Sequence, residues 1–306
     1  MQSVTELSDR LHNALFNSKE KEKEVIEIVS NTDLSTRLSM VQYYEAAYGK
    51  KLEEDLKSKL SSKFRDLVMD LFLSLTELDV EILKKAMKGF STDEVPIFEI
   101  LTSRPKWMID DLKKAYKTST GKDLSQDLEK NFSGNMKRNV ISLLNNFRST
   151  TEKPNKTQCE KDAEMLKNTK KEEDWFNDEK IFEPIFLKKS PEELVMICRY
   201  YFKKTGVALC DVIEKKFSGK NKNLMKEILY NTINPSEMFA DKIYYSMKGL
   251  GTDTDTLNRI LASRSEIDMT DIREIYNWKY KSKLIKDLNS DTSGDYKTLC
   301  CYLAQK

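Results

Sequence analysis

Histidine is nearly missing from this chain: His12 is the only one in 306 residues. That count removes most Ser-His, Cys-His and His-metal chemistry, because each needs an imidazole as base or ligand. Phosphate loops of the G-x-x-x-x-G-K-[ST] or G-x-G-x-x-G type are also missing. A hydrolase built on paired carboxylates has no positive support, so the chain reads as a non-enzyme. The five cysteines (Cys159, Cys198, Cys210, Cys300, Cys301) form an odd set without C-x-x-C spacing. They read as reduced, mostly buried thiols and not as a zinc site or disulfide framework. Long apolar runs are lacking too. Even Leu67–Leu75 is broken by Asp70, far short of the ~18 residues of a membrane span. Met1–Arg10 has no apolar core of the signal-peptide kind, and Met1-Gln2 does not match the myristoylation pattern. The expectation is a soluble, cytoplasmic protein.

Glycine (9) and proline (6) are scarce while 33% of residues are charged, which favours many solvated helices over a turn-rich β-sandwich. The 52 basic and 50 acidic residues leave a net charge of +2, so no global field marks a nucleic-acid binder.

What is present is repetition. At an offset of 160, Met87–Asn146 overlays Met247–Lys306 without a gap and with 18 of 60 positions identical. Met87-Lys88-Gly89 falls on Met247-Lys248-Gly249, Thr92-Asp93 on Thr252-Asp253, and Ser103-Arg104 on Ser263-Arg264. Offsets of 72 and 85 bring two weaker copies into the same register, aligning Tyr44, Tyr116, Tyr201 and Tyr276. The copies span about 1–75, 76–149, 157–232 and 233–306, with a polar linker at 150–156 containing Pro154. Each reads as about five helices. Pro235 opens one helix, Ser190-Pro191-Glu192-Glu193 starts another, and Thr252 with Asp255 has the spacing of an N-cap. No convincing strand alternation appears, so the fold class is all-α.

The most specific feature is the loop Met247-Lys248-Gly249-Leu250-Gly251-Thr252-Asp253. Its glycines permit positive φ, so successive carbonyls can turn toward one point. A hard cation such as calcium takes six to eight oxygens, and carbonyls supply them without charge. A carboxylate must then arrive from elsewhere, and Asp291, just before Ser293-Gly294, is the natural candidate. Read alone, Gly249 and Gly251 fit an ordinary helix cap and turn equally well.

With M-K-G-x-G-T-D, I-L-x-S-R and the downstream Asp291 together, the chain resembles the annexin family over all four copies. Its short N-terminal segment and altered loops resemble the protist annexins called alpha-giardins. The resemblance implies a right-handed superhelical disc of four five-helix repeats with calcium loops on the convex side. It also implies reversible, calcium-dependent binding to acidic phospholipids, at the inner face of the plasma membrane. In the family's principal site the ligands match the carbonyls of Met247, Gly249 and Gly251 and the side chain of Asp291. The second copy offers Met87, Gly89, Ser91 and Asn131, a set that lacks both the second glycine and the charge. In the third copy Asp174–Asp178 replaces the glycine loop and Lys216 stands at the carboxylate position; in the first, the position falls on Lys59. Only the fourth copy keeps a complete set.

Phe90, Trp175 and Leu250 share one register at the loop tip, with Lys88 and Lys248 beside two of them. These tips either dip into a membrane interface, where aromatic rings are comfortable, or fold back over their own repeats. Arg104 and Arg264 read as structural ion-pair partners, and Trp107, Trp175 and Trp278 individually as core or interface residues. The alternative function is a structural or scaffolding protein that contacts cytoskeletal filaments or self-associates, with calcium secondary.

Overall fold

The computed structural model describes residues 2–145, 148–149 and 153–306, and among them every regular element is helical. The first copy holds α1 (Val4–Asn17), α2 (Lys21–Ser30), α3 (Leu34–Tyr48), α4 (Leu52–Lys59) and α5 (Ser62–Leu71). The second holds α6 (Leu75–Ala86), α7 (Glu94–Ser103), α8 (Lys106–Thr120), α9 (Leu124–Asn131) and α10 (Gly134–Asn145). In the third, α11 (Lys156–Asn168) leads to a 3₁₀ turn (Glu172–Phe176) and a π-helical turn (Phe182–Leu187). It continues with α12 (Pro191–Thr205), α13 (Leu209–Lys216) and α14 (Gly219–Ile233). The fourth holds α15 (Pro235–Met247), α16 (Thr254–Arg264), α17 (Met269–Tyr280), α18 (Leu284–Asp291) and α19 (Gly294–Leu303). Of the linker expected at 150–156, residues 150–152 lie outside the described residues.

Local chemistry explains the helix boundaries. Ser3 with Glu6 and Ser190 with Glu193 form reciprocal capping boxes at the starts of α1 and α12. Asn155 caps α11 by accepting from the Gln158 N–H at 3.0 Å. Gly49, Gly121 and Gly206 end α3, α8 and α12 in the left-handed conformation. The start of α16 departs from the spacing argument. Its N-cap is Asp253, whose Oδ1 accepts from the Thr256 N–H at 3.1 Å, and Thr252 faces elsewhere.

The chain divides into two compact units, Met1–Leu78 with Phe239–Lys306, and Asp79–Met238. Each unit pairs two sequence copies in the same way. In the first, α16 packs on α5, and α19 on α2 and α5; in the second, α7 packs on α14, and the π turn on α10 and α14. The second helix of one copy thus lies on the fifth helix of its partner. The first unit's core includes Leu11, Val25, Leu67, Ile260, Ile272 and Leu299; the second's includes Ile97, Ile100, Val140, Phe186, Ile213 and Ile228.

Most polar groups inside these cores are paired, as burial demands, with Asn231 Oδ1 and Ser265 Oγ among the exceptions. Tyr44, Tyr116 and Tyr276 donate to Asp55, Asp127 and Asp287 at 2.7, 3.0 and 2.9 Å. The third copy has Val212 at the aspartate position, and an aromatic cluster takes the pair's place. Burial and its aspartate partner push the Tyr276 hydroxyl well above its ordinary range. Arg37, 2% exposed, donates to the carbonyls of Leu71 (2.7 Å) and Thr32 (2.6 Å) and to Glu266 (2.8 Å). This ties the first copy to the fourth. Arg104 is bidentate to buried Asp79 at 2.7 and 2.8 Å, and Arg264 pairs with Asp268. Both arginines are structural. All five thiols are free; Cys159 and Cys300 are buried, and burial pushes the Cys198 and Cys300 thiols up to about 12. His12 is half-buried, stacked on Tyr48 at 3.8 Å and bonded through Nδ1 to the Tyr44 hydroxyl at 2.9 Å.

Candidate metal centre

Four eight-residue helices, α4, α9, α13 and α18, end at the same register position, on Lys59, Asn131, Lys216 and Asp291 respectively. The last-turn carbonyls of a helix carry partial negative charge, which welcomes a cation and repels a carboxylate. Lysine satisfies that end, whereas Asp291 is placed against it. Such a local conflict is expected where a function is served.

Facing Asp291 is the loop between α15 and α16. It is closed by the Asp253 N–H donating to the Ser246 carbonyl at 2.8 Å and the Lys248 N–H donating to Tyr245 at 3.3 Å. Gly249 and Gly251 sit at φ +119° and +84°, values that strain any residue with a Cβ. The carbonyls of Met247, Gly249 and Gly251 accept no hydrogen bond among the described residues. Asp291 is tied to this loop by Thr252, whose hydroxyl lies 2.7 Å from Asp291 Oδ2 and 3.0 Å from its backbone carbonyl. Met247, Lys248, Ser290 and Asp291 line one cavity of about 320 Å³ with Tyr244, Tyr276 and Asp287. Its donor set is hard oxygen, which fits calcium; of its two carboxylates, Asp287 is already engaged by the Tyr276 and Ser282 hydroxyls at 2.9 and 2.7 Å. Among the described residues no cluster of three or more His, Cys, Asp or Glu side chains could hold a metal. A cation here would rest on carbonyls.

The second loop repeats the frame without the charge. Asp93 donates to the Ala86 carbonyl at 2.9 Å and Lys88 to Lys85 at 3.2 Å, while Gly89 has φ +108°. Ser91, however, does not take the left-handed φ of Gly251. Thr92 donates to Asn131 Oδ1 at 2.7 Å, and the Asn131 amide nitrogen donates to the Asp127 carbonyl at 2.8 Å. The group is held like Asp291 but stays neutral. In the first copy, Lys21 Nζ donates to the Lys59 carbonyl at 2.6 Å and Lys59 Nζ lies 4.2 Å above the Phe16 ring. Ammonium groups occupy that corner.

The expected membrane tips divide. Leu250 and Phe90 are fully exposed, at 108% and 115% of their reference area. Lys248 bends back, its ammonium 5.2 and 5.6 Å from the centroids of Tyr244 and Tyr245. Trp175 corrects the expectation, because it is 0% exposed and not at a tip. Its indole N–H donates to the Leu166 carbonyl at 3.2 Å, and the ring packs on Tyr201, Phe217 and Phe186. With Val212 replacing the buried aspartate, this copy offers an apolar slot, and a large ring gains more by filling it than by facing water. Of the core-or-interface reading, Trp175 takes the core arm, whereas Trp107 and Trp278, 65% and 71% exposed, are not core residues. The register of Thr92 and Thr252 was visible in the sequence; that both hydroxyls reach the end of the fourth helix was not.

Paired, homologous copies that are all-helical among the described residues, with a glycine loop tied to a helix-end carboxylate, define the class. The annexin family model matches residues 7–71, 78–143 and 238–303. The chain belongs to the annexin family, whose members bind calcium and acidic phospholipids. The third copy lies outside the matched segments and is the one with the 3₁₀ and π turns. Mouse annexin A3 is 34% identical over 278 residues, 91% of this chain and 86% of the relative. Mouse annexin A6 is 33% identical over 290 residues, 95% of this chain but only 43% of the relative's length. Among solved structures, chicken annexin V superposes with a TM-score of 0.92 at 29% identity, covering 100% of this chain and 96% of its own. Calcium-bound alpha-14 giardin shares the fold, with a TM-score of 0.84 at 20% identity over 98% of this chain and 99% of its own. Among the described residues no helix is long and apolar enough to cross a membrane.

Proposed function

We propose that this protein binds acidic phospholipid surfaces peripherally and in a calcium-dependent way, through the fourth-copy loop. Calcium would be held by the carbonyls of Met247, Gly249 and Gly251 and by Asp291, with its remaining positions open to water or a lipid phosphate oxygen. The observation that carries this reading is the unfavourable placement of Asp291: a carboxylate on the negative end of α18, tied through Thr252 to a loop whose Met247, Gly249 and Gly251 carbonyls accept no hydrogen bond among the described residues. A bound cation relieves that conflict, and lipid phosphate completes the shell. Leu250, fully exposed beside the ligands, adds an apolar contact when the loop meets a bilayer.

The second copy presents the same frame with a neutral Asn131, so it contributes the exposed Phe90 more than it contributes ion binding. The first and third copies place lysine where the cation's counter-charge is needed. The test is vesicle sedimentation with phosphatidylserine/phosphatidylcholine liposomes in calcium and in chelator. Pelleting should require calcium and be abolished by Asp291→Ala. Equal pelleting in chelator, or a calcium response that survives Asp291→Ala, would overturn the reading and favour a calcium-indifferent scaffold.

A further inference from the structure

Thr252 is spare as a helix cap, since Asp253 fills that role for α16. Its hydroxyl instead reaches across the loop to the last residue of α18, within 2.7 Å of the Asp291 carboxylate and 3.0 Å of the Asp291 carbonyl. We infer that Thr252 is a positioning residue that holds the Asp291 carboxylate in the loop for calcium. The inference rests on the proposed fourth-copy site and adds to it a group that need not touch the ion.

Two physical arguments support it. Asp291 ends a helix, where the exposed carbonyls push a carboxylate away toward solvent. A single hydroxyl donor opposes that push and fixes one oxygen, leaving Oδ1 free of the hydroxyl. The four copies also vary together at the two positions. Where the helix-end residue is an acceptor, Asp291 or Asn131, the partner is threonine, and the bond forms in both cases at 2.7 Å. Where it is lysine, Lys59 or Lys216, the matching positions hold Glu20 and Asn177. A lysine cannot accept a hydrogen bond, and there the hydroxyl is absent.

The full-length chain with Thr252→Val should need about tenfold more calcium for half-maximal binding to phosphatidylserine/phosphatidylcholine vesicles, the scale of losing a group that orients a metal ligand. Thr252→Ser, which restores the donor, should stay within about twofold of the parent. Thr92→Val, the same change at the neutral second loop, should leave the calcium midpoint unmoved. Combined with Asp291→Asn, Thr252→Val should add no further shift, because it acts through the carboxylate. Melting curves in chelator show that each variant is folded. If Thr252→Val matches the parent while Asp291→Asn loses its calcium response, the positioning role is wrong and the site reading stands. A Thr252→Val shift that adds fully to that of Asp291→Asn, or that serine fails to rescue, also overturns the role. If Asp291→Asn itself keeps the parent's calcium midpoint, the site and the inference fall together.

Discussion

Asp291→Asn should make the protein more stable without calcium and less stable with it. Asn131 already shows how the second copy accommodates the amide, with its oxygen accepting from Thr92 and its nitrogen donating to the α9 carbonyl of Asp127. The same two bonds are open to an asparagine at 291, so the substitution removes a charge and keeps the tie. Relieving a carboxylate at the end of α18 is worth about 0.3–1 kcal/mol. In calcium the ledger reverses. A site of one carboxylate and three carbonyls in an exposed loop belongs in the range of about 10⁻⁴ to 10⁻³ M. At about 10 mM calcium the parent should then gain roughly 1.4–2.7 kcal/mol by mass action, and the variant little.

The assay is thermal unfolding of both proteins in chelator and at about 10 mM calcium. The variant should melt slightly higher in chelator, by up to about 3 °C, and the order should invert in calcium. A variant that melts lower in both conditions would show that Asp291 serves the fold and not an ion. Equal calcium-induced shifts in parent and variant would place the ion elsewhere.

Glu266→Gln should destabilise by about 3–5 kcal/mol in denaturant titration, because it leaves the buried Arg37 guanidinium without its counter-charge; a loss below ~1 kcal/mol would show the pair to be solvent-screened. Burial alone would raise the Glu266 carboxyl, but the Leu34 N–H bond and Arg37 hold it below its usual value. Its stabilisation is therefore complete above the unfolded value of about 4.3 and lost as pH falls through the folded one; an acid limb unchanged in Glu266→Gln would contradict this. Trp175→Ala should cost about 3–5 kcal/mol. In a Trp107→Phe, Trp278→Phe background, Trp175 emission should be blue-shifted and indifferent to calcium and vesicles alike; a vesicle-dependent shift would return it to the membrane face. Leu250→Asp should raise the calcium midpoint for vesicle binding about tenfold or more, given the ~1.5–3 kcal/mol of a buried leucine, while leaving melting in chelator unchanged.

Much of the fold was legible because its signals are periodic and local. Apolar positions at helical spacing and starts such as Ser190-Pro191 reach the structure intact, since each depends on residues a few positions apart. Thr252 was misread for the same reason: its spacing to Asp255 is that of a cap, but the competing partner is 39 residues away. Trp175 was placed at a loop tip by register alone. Register assumes that each copy keeps the same backbone, and the third does not. Its loop is a 3₁₀ turn, and its missing aspartate at Val212 leaves an apolar slot that only the folded third copy reveals. Trp107 and Trp278, which read from sequence as core or interface residues, stand largely exposed, which leaves only the interface arm of that reading.

The four helix ends turn the differences among the copies into one electrostatic choice. A lysine at the end of α4 or α13 puts a fixed positive charge at the negative end of the helix, needs no ligand there, and repels a divalent cation from the corner. Asparagine at the end of α9 is neutral on both counts, keeping the threonine bond and the loop frame without either benefit. Aspartate at the end of α18 leaves the helix short of a positive charge until one arrives from solution. What makes Asp291 a poor helix ending is the property that would make it the calcium ligand we propose. A site of this kind therefore need not be strong. In the proposed site calcium would have to supply only the charge that Lys59 and Lys216 carry covalently, and lipid phosphate would supply the oxygens that the loop lacks. On the proposed reading the fourth copy is then the place where helix stability would depend on conditions, and that dependence would couple ion, membrane and fold.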